Sequence, residues 1–121
     1  MKKTVLIVED SELNMELFDD LLQSIGYNTI SSPDGSNLLS IVDEKRPDLI
    51  VMDIQLPNHS GLELTRDIKA QDHLKDIPII AVSAFAMKGD EQKILAAGCD
   101  EYVAKPISVP AFIDLINRYL A

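Results

Sequence analysis

The sequence predicts an α/β fold, a five-stranded doubly wound parallel sheet in which strands and helices alternate as (βα)5. Short apolar runs without polar alternation, such as residues 49–52, are typical of strands covered on both faces. Segments with helical periodicity separate these runs, and such alternation implies right-handed crossovers with helices on both faces of the sheet. We expect the strand order 2-1-3-4-5, which places a switch point between the first and third strands.

Five segments of the chain fit strands. The first, third and fourth are continuously apolar, and the proline of the fourth, Pro78, stands near its entry, where a lost hydrogen-bond donor matters least. The second and fifth segments are shorter or less apolar. By residue number the predicted strands are 4–8, 27–31, 49–53, 77–82 and 101–104.

Helix start and stop signals lie between these strands. Ser11, Ser60 and Ser108 are suitable N-caps, and Ser60 is followed three residues later by a glutamate, as in a capping box. Gly26 and Gly98 are placed to end helices in a left-handed conformation. By residue number the predicted helices are roughly 12–25, 38–46, 61–69, 88–97 and 109–120.

Two of the predicted helices differ in the strength of their apolar face. In the first, Leu13, Leu17 and Leu21 recur at i, i+4 and i+8 and are joined by Phe18, Leu22 and Ile25. The fourth helix has only Ile94 and Leu95 together with small alanines, so we expect it to be the least firmly packed.

Length and composition predict one domain, residues 1–121, without an output domain. Apolar residues make up 46% of the 121 and charged residues 26%, as in ordinary globular proteins. The longest apolar runs fall well short of the 18 or so residues of a membrane span, so we expect no membrane insertion. The single Cys99 cannot form an internal disulfide, and the first apolar run is too short for a signal peptide; we therefore expect a cytoplasmic protein.

The charge balance restricts the partners. Eleven basic against twenty acidic residues give a net charge of −9. This excludes nucleic acid as an expected partner, because binding to a phosphate backbone depends on basic side chains. We expect the partners to be proteins and a cation.

Polar groups follow the predicted strands at the points where the strands end. Glu9 and Asp10 follow the first strand, Asp53 ends the third, and Ser83 and Lys105 follow the fourth and fifth. Because the carboxyl ends of parallel strands meet at one edge, we expect three carboxylates, a hydroxyl and an ammonium group in one crevice.

Crowded carboxylates repel one another unless a cation lies among them, and Mg²⁺ prefers such oxygen ligands. Carboxylates, a divalent cation, a lysine and a hydroxyl suit phosphoryl transfer, in which Asp53 is a candidate acceptor. Each residue also has an ordinary interpretation: Asp10 as part of a helix cap, Asp53 as a loop carboxylate and Lys105 as a solvated side chain. Their common placement favours the shared site.

The sequence resembles, over essentially its whole length, the receiver domain of two-component response regulators, whose fold is the flavodoxin-like fold of chemotaxis receivers. Four segments at the expected strand ends carry this resemblance: VLIVEDSELNM, DLIVMDIQLPNHSGLEL, IPIIAVSAFAMKGD and GCDEYVAKPIS. A narrower likeness, to single-domain family members that control cell division and polarity in alphaproteobacteria, is carried by NHSGLELT, AFAMKGDE and KPISVPAF.

The resemblance implies roles for particular residues. Asp53 would accept a phosphoryl group from a histidine kinase or phosphotransfer protein. Mg²⁺, or Mn²⁺ in its place, would be bound by Asp53, by Asp10 directly, by Glu9 mostly through water and by the backbone carbonyl of Gln55. The protein would then be a phosphoacceptor of a phosphorelay and not an enzyme, assisting only its own phosphorylation and dephosphorylation.

The resemblance also implies a switch. Ser83 and Lys105 would each bind an oxygen of the phosphoryl group, Tyr102 matches the aromatic switch position, and the bond before Pro106 would be cis. Two residues depart mildly from the family pattern: Glu9 stands where Asp is common, and Ser83 where Thr is common.

We expect the response to reach partners through one face, formed by the helix from Lys88 to Ala97, the last strand and the last helix. The expected partners are a sensor histidine kinase or phosphatase and downstream signalling proteins, with the protein itself a monomer or weak dimer, in the cytoplasm and recruited in some states to the cell poles. Phe85 and Met87 offer nothing to orient an attacking water, which predicts slow self-dephosphorylation.

The residues argue against each of three alternative functions. A receiver module of a hybrid histidine kinase shares several of these segments, although the start at Met1 and the end at Ala121 argue against it. An Mg²⁺-dependent aspartyl-phosphate phosphatase needs a second Asp two residues after the nucleophile, where this chain has Gln55. A flavin-binding protein of the same topology needs a phosphate-binding loop after the first strand, where this chain has acidic residues.

Overall fold

A computed structural model describes residues 2–56, 60–84 and 90–121 and confirms the predicted fold. Five parallel strands form one sheet in the order β2-β1-β3-β4-β5. The strands are β1 (Thr4–Val8), β2 (Asn28–Ser32), β3 (Leu49–Asp53), β4 (Ile79–Ser83) and β5 (Glu101–Ala104). The helices are α1 (Glu12–Ser24), α2 (Leu38–Lys45), α3 (Gly61–Lys69), α4 (Asp90–Ala96) and α5 (Val109–Leu120).

The element bounds differ from the predicted ones by one or two residues. β4 begins at Ile79 and not at Ile77, because the N–H of Ile77 donates to the carbonyl of Leu74 in the preceding turn and Pro78 has no N–H to donate. The predicted fourth helix began at Lys88, and residues 88 and 89 lie outside the described residues, as do Phe85 and Met87.

Gly26 and Gly98 have φ angles of +98° and +113°, which confirms their helix-ending role.

The predicted N-cap positions are also confirmed. The Oγ atoms of Ser11 and Ser60 each accept a hydrogen bond, at 3.4 Å, from the backbone N–H three residues later. Ser108 occupies the N-cap position of α5 without a side-chain capping bond, and Pro110 in the first turn supplies a backbone angle suited to the helix.

Apolar side chains cover both faces of the sheet, as the unbroken strands predicted. Along β1, Val5 and Ile7 belong to the cluster on the α1 and α5 face, while Leu6 and Val8 belong to the opposite cluster with α2, α3 and α4. Cys99 is buried in this second cluster. The alternation fixes every strand between two layers of helices and brings all the carboxyl ends to one edge.

Of the apolar residues from which α1 was predicted, only some face the core. Phe18 and Leu22 are buried and Leu21 is partly buried, but Leu13 is 79% exposed and Leu17 is 42% exposed. The face that meets the sheet is centred on Phe18, whose ring lies 5.2 Å from that of Phe112 in α5. A helix face in contact with a flat layer covers only part of its circumference, so the stripe through Leu13 and Leu17 turns to solvent.

Lys69, at the end of α3, contacts the segments that precede β4 and β5, at the edge of the sheet opposite the carboxyl ends of the strands. Its Nζ donates to the carbonyls of Lys75 and Ile77, at 2.9 and 2.8 Å, and lies 3.1 Å from Oδ2 of Asp100. The same Asp100 oxygen accepts from the N–H of Ile79, at 2.8 Å. A Cβ on Gly98 would lie 2.9 Å from Cγ of Lys69, so the chain after α4 packs closely on this lysine.

Candidate functional site

Three carboxylates meet at the carboxyl ends of β1 and β3. Asp53 is the last residue of β3 and Glu9 follows β1, and both are only 2% exposed, whereas Asp10 is exposed. The two strands are neighbours, with Val8 opposite Met52. One oxygen of each carboxylate lies within 4.8 Å of the others, in the one acidic cluster of this kind among the described residues. The sheet order thus brings together the three acids that the sequence placed at strand ends.

Backbone N–H groups fix the two buried carboxylates. Oδ1 of Asp53 accepts from the N–H of Gln55 at 2.9 Å, and Oε1 of Glu9 accepts from the N–H of Ser11 at 3.2 Å. The N–H of Glu9 donates in turn to the carbonyl of Ser32 at 3.1 Å, which anchors the chain at the end of β1. Each carboxylate therefore keeps its second oxygen for another partner.

Lys105 supplies that partner for both acids. Its Nζ lies 3.3 Å from Oε2 of Glu9 and 3.5 Å from Oδ2 of Asp53, with the lysine side chain 20% exposed. A lysine ammonium between two buried carboxylates offsets part of their repulsion. Its long side chain also allows it to follow charge that is added at this position.

The remaining predicted site residues lie on the neighbouring strands or in the loop beyond Asp53. Ser83 is the last residue of β4, 2% exposed, and its carbonyl accepts from the N–H of Lys105 at 2.9 Å. Tyr102 lies within β5, packs against the second apolar cluster and is partly buried. Gln55 forms an isolated antiparallel β-bridge with Ser60. The peptide bond between Lys105 and Pro106 is cis.

Gly61 is a residue of the site that the sequence did not single out. A Cβ at this position would lie 2.5 Å from the carbonyl oxygen of Asp53 and 2.6 Å from Cα of Ile54. The N–H of Gly61 donates to the carbonyl of Ile54 at 3.1 Å, and the buried Thr65 bonds back to the Gly61 carbonyl. The first turn of α3 therefore lies directly against the end of β3. Its one sequence signal is a glycine in a first helical turn, where most residues form helix better.

The site is electrostatically unbalanced without a cation. Burial, and then the neighbouring charge of Asp53, raises the pKa of Glu9 above its ordinary value, against the opposing effects of the Ser11 N–H and Lys105. The three closely spaced carboxylates offer the hard oxygen donors that a divalent cation such as Mg²⁺ or Mn²⁺ prefers. Glu9, Asp10 and Asp53 therefore fit a metal of this class.

This fold and site are those of a response regulator receiver. The chain matches the family described as the response regulator receiver domain over residues 5–117, and it belongs to that family. Among curated proteins, it is 58% identical to the polar-differentiation response regulator DivK of Brucella anthropi over 120 residues, which cover 99% of this chain and 98% of the relative. The DivK of Brucella ovis is 56% identical over the same coverage.

Solved structures agree with this assignment. The receiver domain of the sensor histidine kinase PA1611 from Pseudomonas aeruginosa, with a magnesium ion coordinated in its active site cleft, superposes with a TM-score of 0.90 at 33% identity, covering 99% of this chain and 98% of that one. The chemotaxis protein CheY4 of Vibrio cholerae gives a TM-score of 0.91 at 25% identity, covering 99% and 100%. Every helix in the described part of this chain is too short or too polar to cross a membrane.

Replacement of Gly61 by alanine is expected to displace the end of β3, because the new Cβ cannot fit 2.5 Å from the Asp53 carbonyl. We expect a loss of about 1–3 kcal/mol in the free energy of unfolding and a weaker response to Mg²⁺. Gly26→Ala is the matched control: it meets no atom within 4 Å but has an unfavourable φ, so it loses stability without affecting the site. Thermal unfolding with and without Mg²⁺ measures both quantities, and an equal Mg²⁺ response in the two variants would contradict the role of Gly61.

Glu9 makes stability depend on pH and metal together. A carboxyl group whose pKa is raised on folding contributes fully below its ordinary pKa, and that contribution is lost as the pH rises through the raised value. Without metal, Glu9→Gln is therefore expected to be more stable than wild type at neutral pH, with a smaller decline from acidic to neutral pH.

With Mg²⁺ the wild type should gain more stability than Glu9→Gln, because the Glu9 carboxylate strengthens cation binding and tighter binding to the native state stabilises that state more. The measurement is the unfolding midpoint from acidic to neutral pH, with exposed Glu44→Gln in α2 as the control. A Glu9→Gln profile that matches the control at every pH would count against the electrostatic interpretation.

Proposed function

We propose that the protein is a stand-alone response regulator that accepts a phosphoryl group from a histidine kinase on Asp53 in an Mg²⁺-dependent reaction. The observation that carries this proposal is the placement of Lys105 Nζ, 3.3 Å from Glu9 and 3.5 Å from Asp53, beside a cluster of three carboxylates. The carboxylates provide a site for a cation, and the lysine provides a positive group for a phosphoryl oxygen. The positive charge of the cation and the lysine then offsets the negative charge of the carboxylates and the phosphoryl group.

The chemistry of the acceptor follows from how Asp53 is held. A carboxylate oxygen of Asp53 forms the new bond to phosphorus as the bond from phosphorus to the donor nitrogen breaks, and that electron pair returns to the donor imidazole. The N–H of Gln55 orients the carboxylate through Oδ1, which leaves Oδ2, on the Lys105 side, as the attacking oxygen. A bound Mg²⁺ would neutralise charge on the transferring group, with Glu9, Asp10, Asp53 and the Gln55 carbonyl as its proposed ligands.

Transfer changes the charge balance at Lys105. The acyl phosphate carries about two negative charges, so the Lys105 ammonium is drawn from Glu9 toward a phosphoryl oxygen, and the Ser83 hydroxyl donates to another. The Ser83 carbonyl already accepts from the Lys105 N–H, so the ends of β4 and β5 move as a connected pair. Tyr102, in β5, is placed to repack with them.

The partner surface is the face of α4, β5 and α5. Ile94 is the buried branched side chain of α4, at 3% exposure, whereas Leu95 is 43% exposed. A helix with so few buried contacts changes position at low cost. A groove lined by Tyr102, Pro106, Phe112 and Arg118, among others, lies along β5 and α5 and continues this face. Downstream proteins that read the phosphorylation state bind here.

The cellular role proposed for the chain is control of cell division and polarity, as a cytoplasmic, non-enzymatic phosphoacceptor. The likeness to DivK over 98% of that relative's length supports this role. The PA1611 receiver, part of a sensor histidine kinase and 33% identical, makes a receiver module of a hybrid kinase the second candidate. Slow self-dephosphorylation, inferred from Phe85 and Met87, stays a prediction because both lie outside the described residues.

The acceptor is tested by incubation with acetyl phosphate and Mg²⁺ followed by intact-mass measurement. Wild type is expected to gain one phosphoryl group and Asp53→Asn none. Asp43→Asn, an exposed acid of α2, serves as the control and should gain mass as wild type does. Equal gain in wild type and Asp53→Asn, or no gain in either, would contradict the proposal.

Amide hydrogen exchange tests the partner face. Addition of beryllofluoride, a phosphoryl mimic, to the Mg²⁺-bound protein is expected to change exchange rates in α4, β5 and the start of α5, since these follow Ser83 and Lys105. The amides of α2, which contributes Leu38 and Val42 to the core, should change little. A response concentrated in α2, with α4 and β5 unaffected, would place the switch elsewhere.

A further inference from the structure

A buried series of hydrogen bonds runs from the chain after α4 to the end of β3. The thiol of Cys99 donates to Oγ1 of Thr65 at 3.6 Å, and this hydroxyl donates to the carbonyl of Gly61 at 2.8 Å. The N–H of Gly61 in turn donates to the carbonyl of Ile54 at 3.1 Å. Thr65 is fully buried and Cys99 nearly so, which keeps water from competing for these bonds.

A single peptide group joins this series to the acceptor carboxylate. Its carbonyl is that of Ile54, and its N–H is that of Gln55, which donates to Oδ1 of Asp53 at 2.9 Å. A carbonyl that accepts a hydrogen bond makes the N–H of the same peptide group a stronger donor, because hydrogen bonds in a chain polarise one another. The bond that Gly61 makes to this peptide group therefore affects how the Asp53 carboxylate is held.

The most adaptable backbone in this series is that of Gly61. A Cβ there would lie 2.5 Å from the carbonyl oxygen of Asp53, so the close approach needs a glycine, and glycine has the greatest backbone freedom to lose. Two bonds restrict it: its N–H is held by Ile54 and its carbonyl by Thr65. The hydroxyl of Thr65 thus fixes the one residue of α3 that lies directly against the acceptor.

Threonine hydroxyls in helices often bond to the carbonyl four residues earlier without any further role. Thr65 differs because its hydroxyl also accepts from a second segment of the chain, at Cys99. Burial raises the pKa of this thiol above its ordinary value, so the thiol keeps its proton and remains a donor. The neighbours of Cys99, Gly98 and Asp100, both contact Lys69 of α3, so the thiol is held in a fixed position.

We propose that Thr65 is a positioning residue of the acceptor site: its hydroxyl fixes the first turn of α3 and so orients the Asp53 carboxylate and the Gln55 carbonyl for a divalent cation. The inference rests on the proposed function, in which these two groups are cation ligands. Gln55 depends on the same turn a second time, through its β-bridge with Ser60. Groups that orient metal ligands without touching the metal commonly change the metal affinity about 10- to 100-fold.

The test compares Thr65→Val, which removes the hydroxyl and keeps the branched shape, with Thr65→Ser, which keeps the hydroxyl. In the metal-free protein, the amide proton of Gln55 should move upfield in Thr65→Val, because its hydrogen bond to Asp53 weakens. The Mg²⁺ affinity, from ¹⁵N chemical-shift titration, should fall about tenfold in Thr65→Val. Thr65→Ser should keep the Gln55 shift and an affinity within about threefold of wild type.

Two further variants separate positioning from stability. Thr29→Val is the matched control: its hydroxyl donates to Asp19 of α1, so the variant loses a hydroxyl bond but should leave the Gln55 amide and the Mg²⁺ affinity unchanged. Cys99→Ala should shift the Gln55 amide in the same direction as Thr65→Val and weaken Mg²⁺ binding about twofold, since a thiol is a weak donor. Added to Thr65→Val it should have no further effect, because both act through one hydroxyl.

Several results would overturn the inference. A wild-type Gln55 shift and Mg²⁺ affinity in Thr65→Val would make Thr65 a structural residue only, and equal weakening in Thr65→Ser would assign the effect to packing. If Thr65→Val does not fold, an unchanged Gln55 amide in Cys99→Ala contradicts the inference instead. The metal-free shift needs no phosphoryl donor, so a wild type that gains no mass from acetyl phosphate counts against the proposed function and leaves the amide result as measured.

Discussion

Repulsion among three carboxylates at the ends of two neighbouring strands is the constraint on which the site depends. Glu9 and Asp53 are both buried, and the fold keeps them close with backbone N–H groups and with one lysine placed between them. Burial, and then the neighbouring charge of Asp53, still raises the pKa of Glu9 above its ordinary value. A cation bound among these carboxylates would lower the free energy of the site and, under the proposed function, would offset the charge of an incoming phosphoryl group.

Most of the fold, and the membership of the site, could be predicted from the sequence because both follow from simple geometry. Unbroken apolar strands require helices on both faces, and a parallel sheet brings strand ends to one edge, so Glu9, Asp10, Asp53, Ser83 and Lys105 could be placed without coordinates. Which carboxylate oxygen Lys105 approaches depends on side-chain conformations and backbone contacts that no local pattern encodes.

The sequence failed where several apolar stripes compete on one helix. α1 has apolar residues at 13, 15, 17, 18, 21 and 22, so periodicity alone permits more than one buried face. Packing of Phe18 against Phe112 decides between them, and this partner is distant in sequence. Gly61 was missed for a related reason: the atoms that exclude a side chain there belong to β3, not to its own helix.

The contacts of Lys69 hold the carboxyl end of α4 in place. After α4, the chain packs closely on Lys69 at Gly98. Asp100 then forms an ion pair with Lys69 and accepts a hydrogen bond from the N–H of Ile79. These contacts fix the carboxyl end of α4 at the edge of the sheet opposite Asp53. The amino end of the helix is the end nearer to Ser83 along the chain. Under the proposed function, with its carboxyl end held, α4 would move as a lever: phosphorylation at Asp53 would displace the amino end of the helix most, and the displacement would diminish toward Ala97.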